Sequence, residues 1–305
     1  MDLFQLETFL TVAREGSFSK AAKKLYRTQP AISQTIRKLE EEIGEGLFDR
    51  SSREGILTDA GKVLEEYAQK LLNLRTEALS AVGELRQLER GRLSIGANEV
   101  TCLYLLPMLD KYRDRCPMVS IAVQRTMASL VPEELLNRSI ELGLVTYKID
   151  QPELKSVVIY RDELIFVMHP SHPLASAGML NINQLGAEVF VAHNVPSPYR
   201  AKVIDTFKHK NVPLHMHVEL PTVEAIKKFV ARERGLALLP GISVEDEIAR
   251  GELASARVKE LAFERKVRIA YRRNSVLSHA SRAFLDVAES FAKQKGGRYL
   301  FQPER

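Results

Sequence analysis

The chain has 305 residues, 45% hydrophobic and 27% charged, which is typical of a globular protein with about two domains. Two cysteines fit a reducing compartment, no apolar run approaches the roughly 18 residues of a membrane span, and no secretory signal is found, so we expect a cytoplasmic protein without a membrane anchor. The net charge is only +5, but residues 14–38 hold seven bases and one acid, which indicates a surface facing a polyanion or, alternatively, a solvated helix face.

Three short helices are predicted at the N-terminus. Apolar residues at helical spacing predict a helix over 3–14 that ends at Gly16, and Ser17 is expected to cap a second helix. Thr28 is expected to cap a third helix. Its buried stripe would consist of Ile32, Ile36, Leu39 and Ile43, with Gly44 as the stop. Two short helices joined by a tight turn are typical of a helix-turn-helix.

A hairpin and a long helix come next. Residues 47–58 predict two short strands around a polar turn, which after a helix-turn-helix would form a wing. From Asp59 to about Glu89 we predict a helix of about 45 Å, too long to bury within a small domain. Its apolar residues alternate steps of three and four, which favours a partner helix over packing on its own domain. They are Leu64, Tyr67, Leu71, Leu74, Ala78, Ala81, Leu85 and Leu88.

The remaining chain alternates strands with helices, which predicts a parallel sheet covered on both faces. Strands are predicted at 93–96, 119–124, 142–145, 157–160, 164–168, 189–191, 236–239 and 266–271, and helices at 103–115, 131–137, 200–210, 223–234 and 278–293. This is enough chain for two lobes, lobe I at about 91–160 and 267–305 and lobe II at about 161–266.

Several sequence strings resemble the LysR-type transcriptional regulators, and the resemblance covers the whole chain. The most specific strings are FSKAAKKL at 18–25, QPAISQTIRKLE at 29–40, LFDR at 47–50 and LTDAG at 57–61. The C-terminal part resembles the family less tightly, at 105–107, 116–119, 172–175 and 235–240. Three residues depart from the family pattern: Glu141 often is Asp there, and Arg138 and Glu233 often are Gly.

The resemblance implies an α+β multidomain protein. It would have a winged helix-turn-helix at 1–58, a linker and dimerisation helix at 59–90, and at 91–305 a two-lobed α/β effector domain like periplasmic binding proteins. The implied function is sequence-specific binding to double-stranded DNA, modulated by a small-molecule effector bound between the lobes. A homodimer or homotetramer is expected, RNA polymerase is a candidate partner, and no cofactor is expected.

A recognition helix presents polar side chains to the major groove from its N-terminal half. The residues predicted to contact base edges are Gln29, Ser33, Gln34 and Arg37, with Pro30 and Ala31 suited to a thymine methyl group. Those predicted to hold phosphates are Ser19, Lys20, Thr28 and Lys38. In the wing, Arg53 is predicted to probe the minor groove, and Arg50 to hold DNA or form an internal salt bridge. Plain solvent exposure is the alternative for each residue.

Two-lobed α/β folds bind ligands at the carboxyl ends of their strands. By resemblance, the effector residues are Asn98, Glu99, Val100, Thr101, Thr126, Met127, Thr146, Pro196, Ser197 and Thr222. Thr101 and Ser197 are expected to approach from opposite lobes, each offering a hydroxyl to the ligand. Glu99 would oppose a plain dicarboxylate, which favours a ligand with an amine or hydroxyls unless Glu99 points to solvent.

Other chemistries have little support in the sequence. His215 and His217 share one face of a predicted strand but have no third metal ligand at a useful spacing, and Cys102 and Cys116 do not form a recognisable redox pair. No phosphate loop, nucleophile elbow or HExxH motif is present, so we do not expect an enzyme. The rival functions are a solute-binding protein feeding a transporter, and an enzyme of aromatic metabolism with a fused DNA-binding segment.

Overall fold

The computed structural model describes residues 1–49, 55–86, 91–195, 197–274 and 276–304. The chain divides into two compact units, one formed by residues 1–91 with 133–140 and the other by residues 92–132 with 141–305. Among the described residues, no helix is both long and apolar enough to cross a bilayer.

Four helices occupy most of the described chain up to Arg86. They are α1 (Leu3–Glu15), α2 (Phe18–Lys24), α3 (Gln29–Ile43) and α4 (Asp59–Arg86). α1 ends at Gly16 and α3 at Gly44, both in the left-handed conformation that favours glycine. At the start of α2, the Lys20 N–H donates to Ser17 Oγ at 3.4 Å. The predicted helix starts and stops are confirmed at these points.

These helices enclose one apolar core. Its buried members are Leu6, Phe9, Leu10, Val12, Ala21, Ala22, Ile32, Ile36, Leu39, Leu47, Phe48 and Ala68. The prediction that Ile43 belongs to this buried stripe is wrong, because its side chain is 38% exposed. Ile43 is the last residue of α3 and lies beyond the part of the helix that packs on the core.

The predicted hairpin after α3 is present in its described parts, residues 47–49 and 55–58. Phe48 and Leu57 form an antiparallel bridge, and the Asp49 N–H donates to the Ile56 carbonyl at 2.8 Å. This hairpin is the wing of the N-terminal helices.

The wing leads directly into α4 through Thr58 and Gly61. Thr58 Oγ1 accepts a hydrogen bond from the Gly61 N–H at 3.0 Å, which confirms Thr58 as the predicted cap. A Cβ at Gly61 would lie 2.2 Å from the Leu47 carbonyl oxygen. Glycine is therefore required where α4 passes the base of the wing.

The second unit contains twelve strands and most of the other helices in the described part of the chain. The strands are β1 (Arg92–Ala97), β2 (Ser120–Arg125), β3 (Leu142–Val145), β4 (Leu154–Asp162), β5 (Leu164–Met168), β6 (Met179–Leu180), β7 (Val189–His193), β8 (His215–Leu220), β9 (Ala237–Pro240), β10 (Ala254–Val258), β11 (Arg265–Arg272) and β12 (Tyr299–Glu304). The helices are α5 (Glu99–Leu103), α6 (Leu106–Arg115), α7 (Val131–Leu136, which extends into the first unit), α8 (Pro198–His209), α9 (Val223–Val230), α10 (Glu245–Ala249) and α11 (His279–Lys295).

The larger sheet has six strands in the order β12-β4-β11-β3-β1-β2. Strands β1, β2 and β3 pair in parallel, whereas β11 is antiparallel to both β3 and β4, and β12 is antiparallel to β4. The prediction of a parallel sheet is therefore wrong for three of the five strand pairs, each of which involves β11 or β12. The reason is that β11 and β12 enter the sheet from the far end of the chain rather than through a helical crossover after β3.

The smaller lobe holds a four-stranded sheet, β6-β10-β5-β9, and the parallel pair β7-β8. β5 is antiparallel to both β9 and β10. A parallel bridge between Phe190 and Leu236 joins β7 to the residue before β9. Lobe II is thus one continuous stretch of chain inserted between β4 and β11.

The predicted single helix at 103–115 is wrong, because α5 and α6 replace it. Pro107 is tolerated only in the first turn of a helix, so a new helix has to start just before it, at Leu106. Strands β6, β10 and β12 were not predicted; β6 has two residues, and Pro303 interrupts the pattern of β12. Arg138 and Glu233, where the family often has Gly, both adopt positive φ of about +60°.

The chain passes between the lobes twice, after β4 and before β11, and a buried ion pair connects these two segments. Asp162 at the end of β4 pairs with Arg265 at the start of β11, and Arg265 Nη1 also donates to the Tyr104 hydroxyl at 3.2 Å. The Asp162 side chain is fully buried, and its Oδ1 has no hydrogen-bond partner in the described chain. Burial lowers the pKa of Arg265, opposed by its contact with Tyr104.

Candidate DNA interface and ligand cleft

The exposed face of α3 carries a continuous row of polar side chains. Ile32, Ile36 and Leu39 are buried in the core, so the opposite half of the helix is turned to solvent. The predicted base-contacting residues share that half: Gln29, Pro30, Ala31, Gln34 and Arg37 are exposed and Ser33 is half-buried. Gln29 Nε2 donates to Ser33 Oγ at 3.1 Å. A helix that presents such a row can enter a major groove.

The residues predicted to hold phosphates are also exposed. They are Ser19, Lys20, Thr28 and Lys38. Thr28 precedes α3, but its side chain makes no capping hydrogen bond, so the prediction that its side chain caps α3 is wrong. Pro30, the second residue of α3, has no N–H to offer. The Thr28 hydroxyl is therefore not used to close the helix.

A buried carboxylate holds the base of the wing. Glu40 Oε1 accepts hydrogen bonds from the N–H groups of Leu47 at 2.8 Å and Phe48 at 3.4 Å. Glu40 is 8% exposed, and it links the end of α3 to the first strand of the hairpin. The predicted DNA-binding residues Arg50 and Arg53 lie outside the described residues.

Helix α4 has two apolar faces. Leu64, Ala68 and Leu72 pack against the N-terminal core, so Leu64, predicted to bind a partner helix, instead belongs to its own domain. The first turns of α4 are part of that domain, which explains the difference. The other face leaves Tyr67 59%, Leu71 39% and Leu74 45% exposed. Ala78 is exposed as well, whereas the side chains of Ala81, Leu85 and Leu88 lie outside the described residues.

The loop after β1 is closed by hydrogen bonds of its own. Asn98 Oδ1 accepts from the N–H groups of Val100 and Thr101, at 3.1 and 2.8 Å, and Thr101 Oγ1 accepts from the Asn98 N–H at 2.9 Å. Thr101 is fully buried. The expectation that its hydroxyl faces a ligand is wrong, because that hydroxyl closes a capping box on α5.

The predicted residues after β2 and β3 lie at the same edge of the large sheet, because β1, β2 and β3 run parallel. Thr126 is buried, and its N–H donates to the Ala97 carbonyl at 3.0 Å, whereas Met127 is 55% exposed. The Thr146 carbonyl accepts a hydrogen bond from the Tyr199 hydroxyl of α8 at 3.0 Å. This contact joins the strand-end edge of lobe I to lobe II.

In lobe II, the predicted hydroxyls are again helix caps. Ser197 Oγ accepts from the Arg200 N–H, and Thr222 Oγ1 accepts from the Ala225 N–H, both at 3.1 Å. The hydroxyl that Ser197 was expected to offer a ligand therefore starts α8. Pro196 lies outside the described residues.

Arg125 and Arg200, which were not predicted as effector residues, lie with Glu99 and His193 at these strand ends. Burial lowers the pKa of His193, Arg125 and Arg200 lower it further, and Glu99 raises it. The lowered pKa favours the neutral His193 imidazole, and because its Nδ1 accepts from the Val195 N–H at 3.1 Å, Nε2 is left as the donor. Arg200 also donates to the His193 carbonyl at 3.0 Å and pairs with Glu219.

These four groups come from both lobes: Glu99 and Arg125 follow β1 and end β2, while His193 and Arg200 end β7 and begin α8. Val100 packs against the cores of both lobes, which brings the two edges together. This edge therefore carries cationic side chains and the carboxylates of Glu99 and Glu219. In the sequence, the signal that could have indicated these residues is that Glu99, Arg125 and His193 lie at or just after the ends of predicted strands.

Metal and thiol chemistry find no support in the described residues. No group of three or more His, Cys, Asp or Glu side chains there could hold a metal ion. The rings of His215 and His217 lie 6.1 Å apart on β8. Burial raises the pKa of the Cys102 thiol, which disfavours the reactive thiolate.

Comparison with protein families gives two matches. Residues 3–62 match the family described as "Bacterial regulatory helix-turn-helix protein, lysR family". Residues 86–292 match the family described as "LysR substrate binding domain".

Similar proteins and structures cover nearly the whole chain. A "Probable RuBisCO transcriptional regulator" of Cyanophora paradoxa is 32% identical, over 92% of this chain and 89% of that protein, and one of Porphyra purpurea is 31% identical, over 92% and 91%. The structure of full-length CbnR with its target DNA has a TM-score of 0.73 at 20% identity, covering 95% of this chain and 99% of that one. A full-length OxyR variant of Pseudomonas aeruginosa has a TM-score of 0.68 at 22% identity, covering 96% and 95%. At these identities the structural likeness concerns the fold.

Proposed function

This chain belongs to the LysR family of DNA-binding transcriptional regulators with a substrate-binding domain, and we propose that α3 is the element that reads base sequence. The observation that carries the proposal is the exposed polar row of α3, opposite its buried stripe. Glutamine can pair with adenine and arginine with guanine in the major groove. Ser19, Lys20, Thr28 and Lys38 flank this row, where phosphates would lie.

The proposed unit on DNA is a homodimer formed through α4. Two such dimers would form a homotetramer. Tyr67, Leu71 and Leu74 form an exposed apolar stripe at heptad spacing, and such a stripe is buried when two helices pair. Because DNA is its target, we place the protein in the cytoplasm with the DNA, and RNA polymerase is the partner through which it would act on transcription.

We place the effector in the cleft between the two lobes. Arg125 and the Nε2 donor of His193 suit an anionic group, and Glu99 suits a hydroxyl or amine of the same ligand. The hydroxyls of Thr101, Ser197 and Thr222 cap helices and contribute mainly by holding backbone N–H groups in place. Phosphorylated sugars and carboxylates carry such anionic groups together with hydroxyls and are therefore suitable first probes.

The DNA proposal is tested by selecting duplexes from a random library with the full-length protein. The selected duplex should bind at least ~10³-fold more tightly than a shuffled one, and log affinity should fall linearly with log salt concentration. Arg37→Ala should reduce that ratio, whereas Arg113→Ala, an exposed arginine of α6, is the matched control and should not. Equal affinity of the wild type for both duplexes would contradict sequence reading.

The effector proposal is tested by thermal shift with fructose 1,6-bisphosphate, citrate and benzoate. A probe at 100 times its Kd should add about 2.7 kcal/mol to the stability of the domain, visible as a raised Tm. Arg125→Ala should abolish that rise and Arg113→Ala should keep it. A rise that survives Arg125→Ala would place the anion elsewhere.

A further inference from the structure

Two polar side chains of α3 are hydrogen-bonded to each other rather than to the helix. Gln29 and Ser33 are one turn apart, and Gln29 Nε2 donates to Ser33 Oγ at 3.1 Å. Within the described chain, neither side chain makes another hydrogen bond. The contact therefore tethers the Gln29 amide to Ser33.

Ser33 differs in this respect from three threonines in the helices of the N-terminal unit. Thr35 donates to the Ala31 carbonyl at 2.9 Å, Thr11 to the Glu7 carbonyl at 2.7 Å, and Thr76 to the Leu72 carbonyl at 3.0 Å. A hydroxyl in a helix commonly bonds to the carbonyl one turn back in this way. Ser33 instead accepts from Gln29, so its own proton is free.

We infer that Ser33 is a positioning residue for base recognition, and that Gln29 and Ser33 act as one unit; this rests on the proposal that α3 reads the major groove. With one amide N–H bound to Ser33, Gln29 keeps one N–H and Oε1 to present outward. Adenine needs that pair, since it offers N7 as acceptor and its N6 amino group as donor. Ser33, which accepts from Gln29, keeps its O–H, and this donor suits an acceptor such as guanine O6 or thymine O4.

Specificity then depends on a residue that does not touch the base it helps to read. A glutamine side chain without such a contact samples several side-chain conformations and places its amide edge less reproducibly against the base. The hydrogen bond to Ser33 restricts those conformations and holds the outward edge of the Gln29 amide in place. Ser33→Ala should therefore relax the preference at the base read by Gln29, in addition to any change at a base that Ser33 contacts directly.

The experiment is a mutant cycle on the full-length protein with a randomised duplex library and sequencing of the bound fraction. Gln29→Ala first identifies the base position read by Gln29, where the wild type should prefer adenine. At that position Ser33→Ala should weaken the preference by about tenfold, and adding Ser33→Ala to Gln29→Ala should change nothing further. Thr35→Ala is the matched control, because its hydroxyl is turned onto the helix backbone, and it should keep the wild-type preference.

Each other outcome overturns the inference. Additive losses, or a Ser33→Ala effect confined to another base, would show that Ser33 acts independently of Gln29. A Gln29→Ala variant with the wild-type preference would remove Gln29 from base reading while leaving the DNA proposal intact. A wild type that selects no sequence would overturn both. Because Gln29 is exposed and Ser33 half-buried, unchanged melting of the variants should accompany these results.

Discussion

The two proposed binding surfaces of this protein are built in different ways. The α3 surface comes from one stretch of chain, and its side chains project outward with few bonds to the protein. The cleft draws Glu99, Arg125, His193 and Arg200 from four places in the sequence, and the hydroxyls around it are already used as helix caps.

This difference shows how each surface can recognise its target. On α3 the neutral side chains can themselves do the reading, because they keep free donors and acceptors. In the cleft, the hydroxyls of Thr101, Ser197 and Thr222 each accept from a backbone N–H, so the protein itself already uses part of their hydrogen-bonding capacity and charged side chains carry more of the binding. The following predictions test whether the two surfaces are in fact so distinct, from the largest expected effect to the smallest.

The largest effect is expected from disrupting the proposed dimer, because DNA binding by α3 would then lose the contribution of the second copy of the chain. Leu71→Asp with Leu74→Asp would place charges in the proposed helix–helix contact, costing several kcal/mol per site. Sedimentation should show a monomer, and affinity for the selected duplex should fall by about 10²–10⁴-fold as the tethered second domain is lost. Ligand-induced thermal shift should persist, since the cleft belongs to one chain.

Thr76→Asp is the matched control for this change. Thr76 is exposed and lies about half a helical turn away from the stripe, its hydroxyl bonded to the Leu72 carbonyl. It should leave both mass and duplex affinity unchanged. If the double variant also kept the mass of the wild type, the stripe would not be the dimer contact.

A smaller effect is expected at the base of the wing. Glu40→Ala removes the acceptor of the Leu47 and Phe48 N–H groups and should cost about 1.5–3 kcal/mol of stability in the N-terminal unit. Hydrogen exchange at these two amides should speed up, and duplex affinity should fall. Glu41→Ala, exposed and adjacent, should stay within about 0.5 kcal/mol of the wild type. Unaltered hydrogen exchange at both amides would show that Glu40 does not hold the base of the wing.

The smallest effect is expected in the cleft. Thr101→Val removes the hydroxyl that accepts from the Asn98 N–H and should lower stability by about 1 kcal/mol, the usual cost of a lost cap. The ligand-induced rise in Tm should be nearly that of the wild type, because this hydroxyl faces the backbone. If the variant had normal stability but no longer responded to ligand, Thr101 would have to contact the ligand directly.

Sequence patterns were most informative where structure is local. The caps at Ser17 and Thr58, the stops at Gly16 and Gly44, and the buried stripe of α3 follow from residues a few positions apart. The exposed row on α3 was predicted for the same reason. Ile43 and Leu64 show the limit of prediction from apolar periodicity. Periodicity does not indicate at which residue a helix extends beyond its own core, nor which of two apolar faces packs on that core.

Long-range pairing accounts for most of what could not be predicted. Nothing near β3 in the sequence indicates that β11 becomes its antiparallel neighbour, so the sheet was expected to be parallel. The proximity of Arg125 to His193 could not be predicted for the same reason, because the two residues belong to different lobes and are far apart in the sequence. Thr101 was misjudged because a threonine at the start of a helix can serve the ligand or the cap, and only the geometry of Asn98 decides.

The insertion of lobe II between β4 and β11 has a consequence during synthesis on the ribosome. Val145 of β3 pairs with Arg268, which is 123 residues later, and at about 5–20 residues per second the edge of β3 waits roughly 6–25 s for its neighbour. Lobe II takes up most of that interval, so β3 is without its β11 neighbour until nearly all of lobe II has been synthesised. An unpaired strand edge can pair with another chain, so the edge of β3 is exposed to wrong pairing during that time.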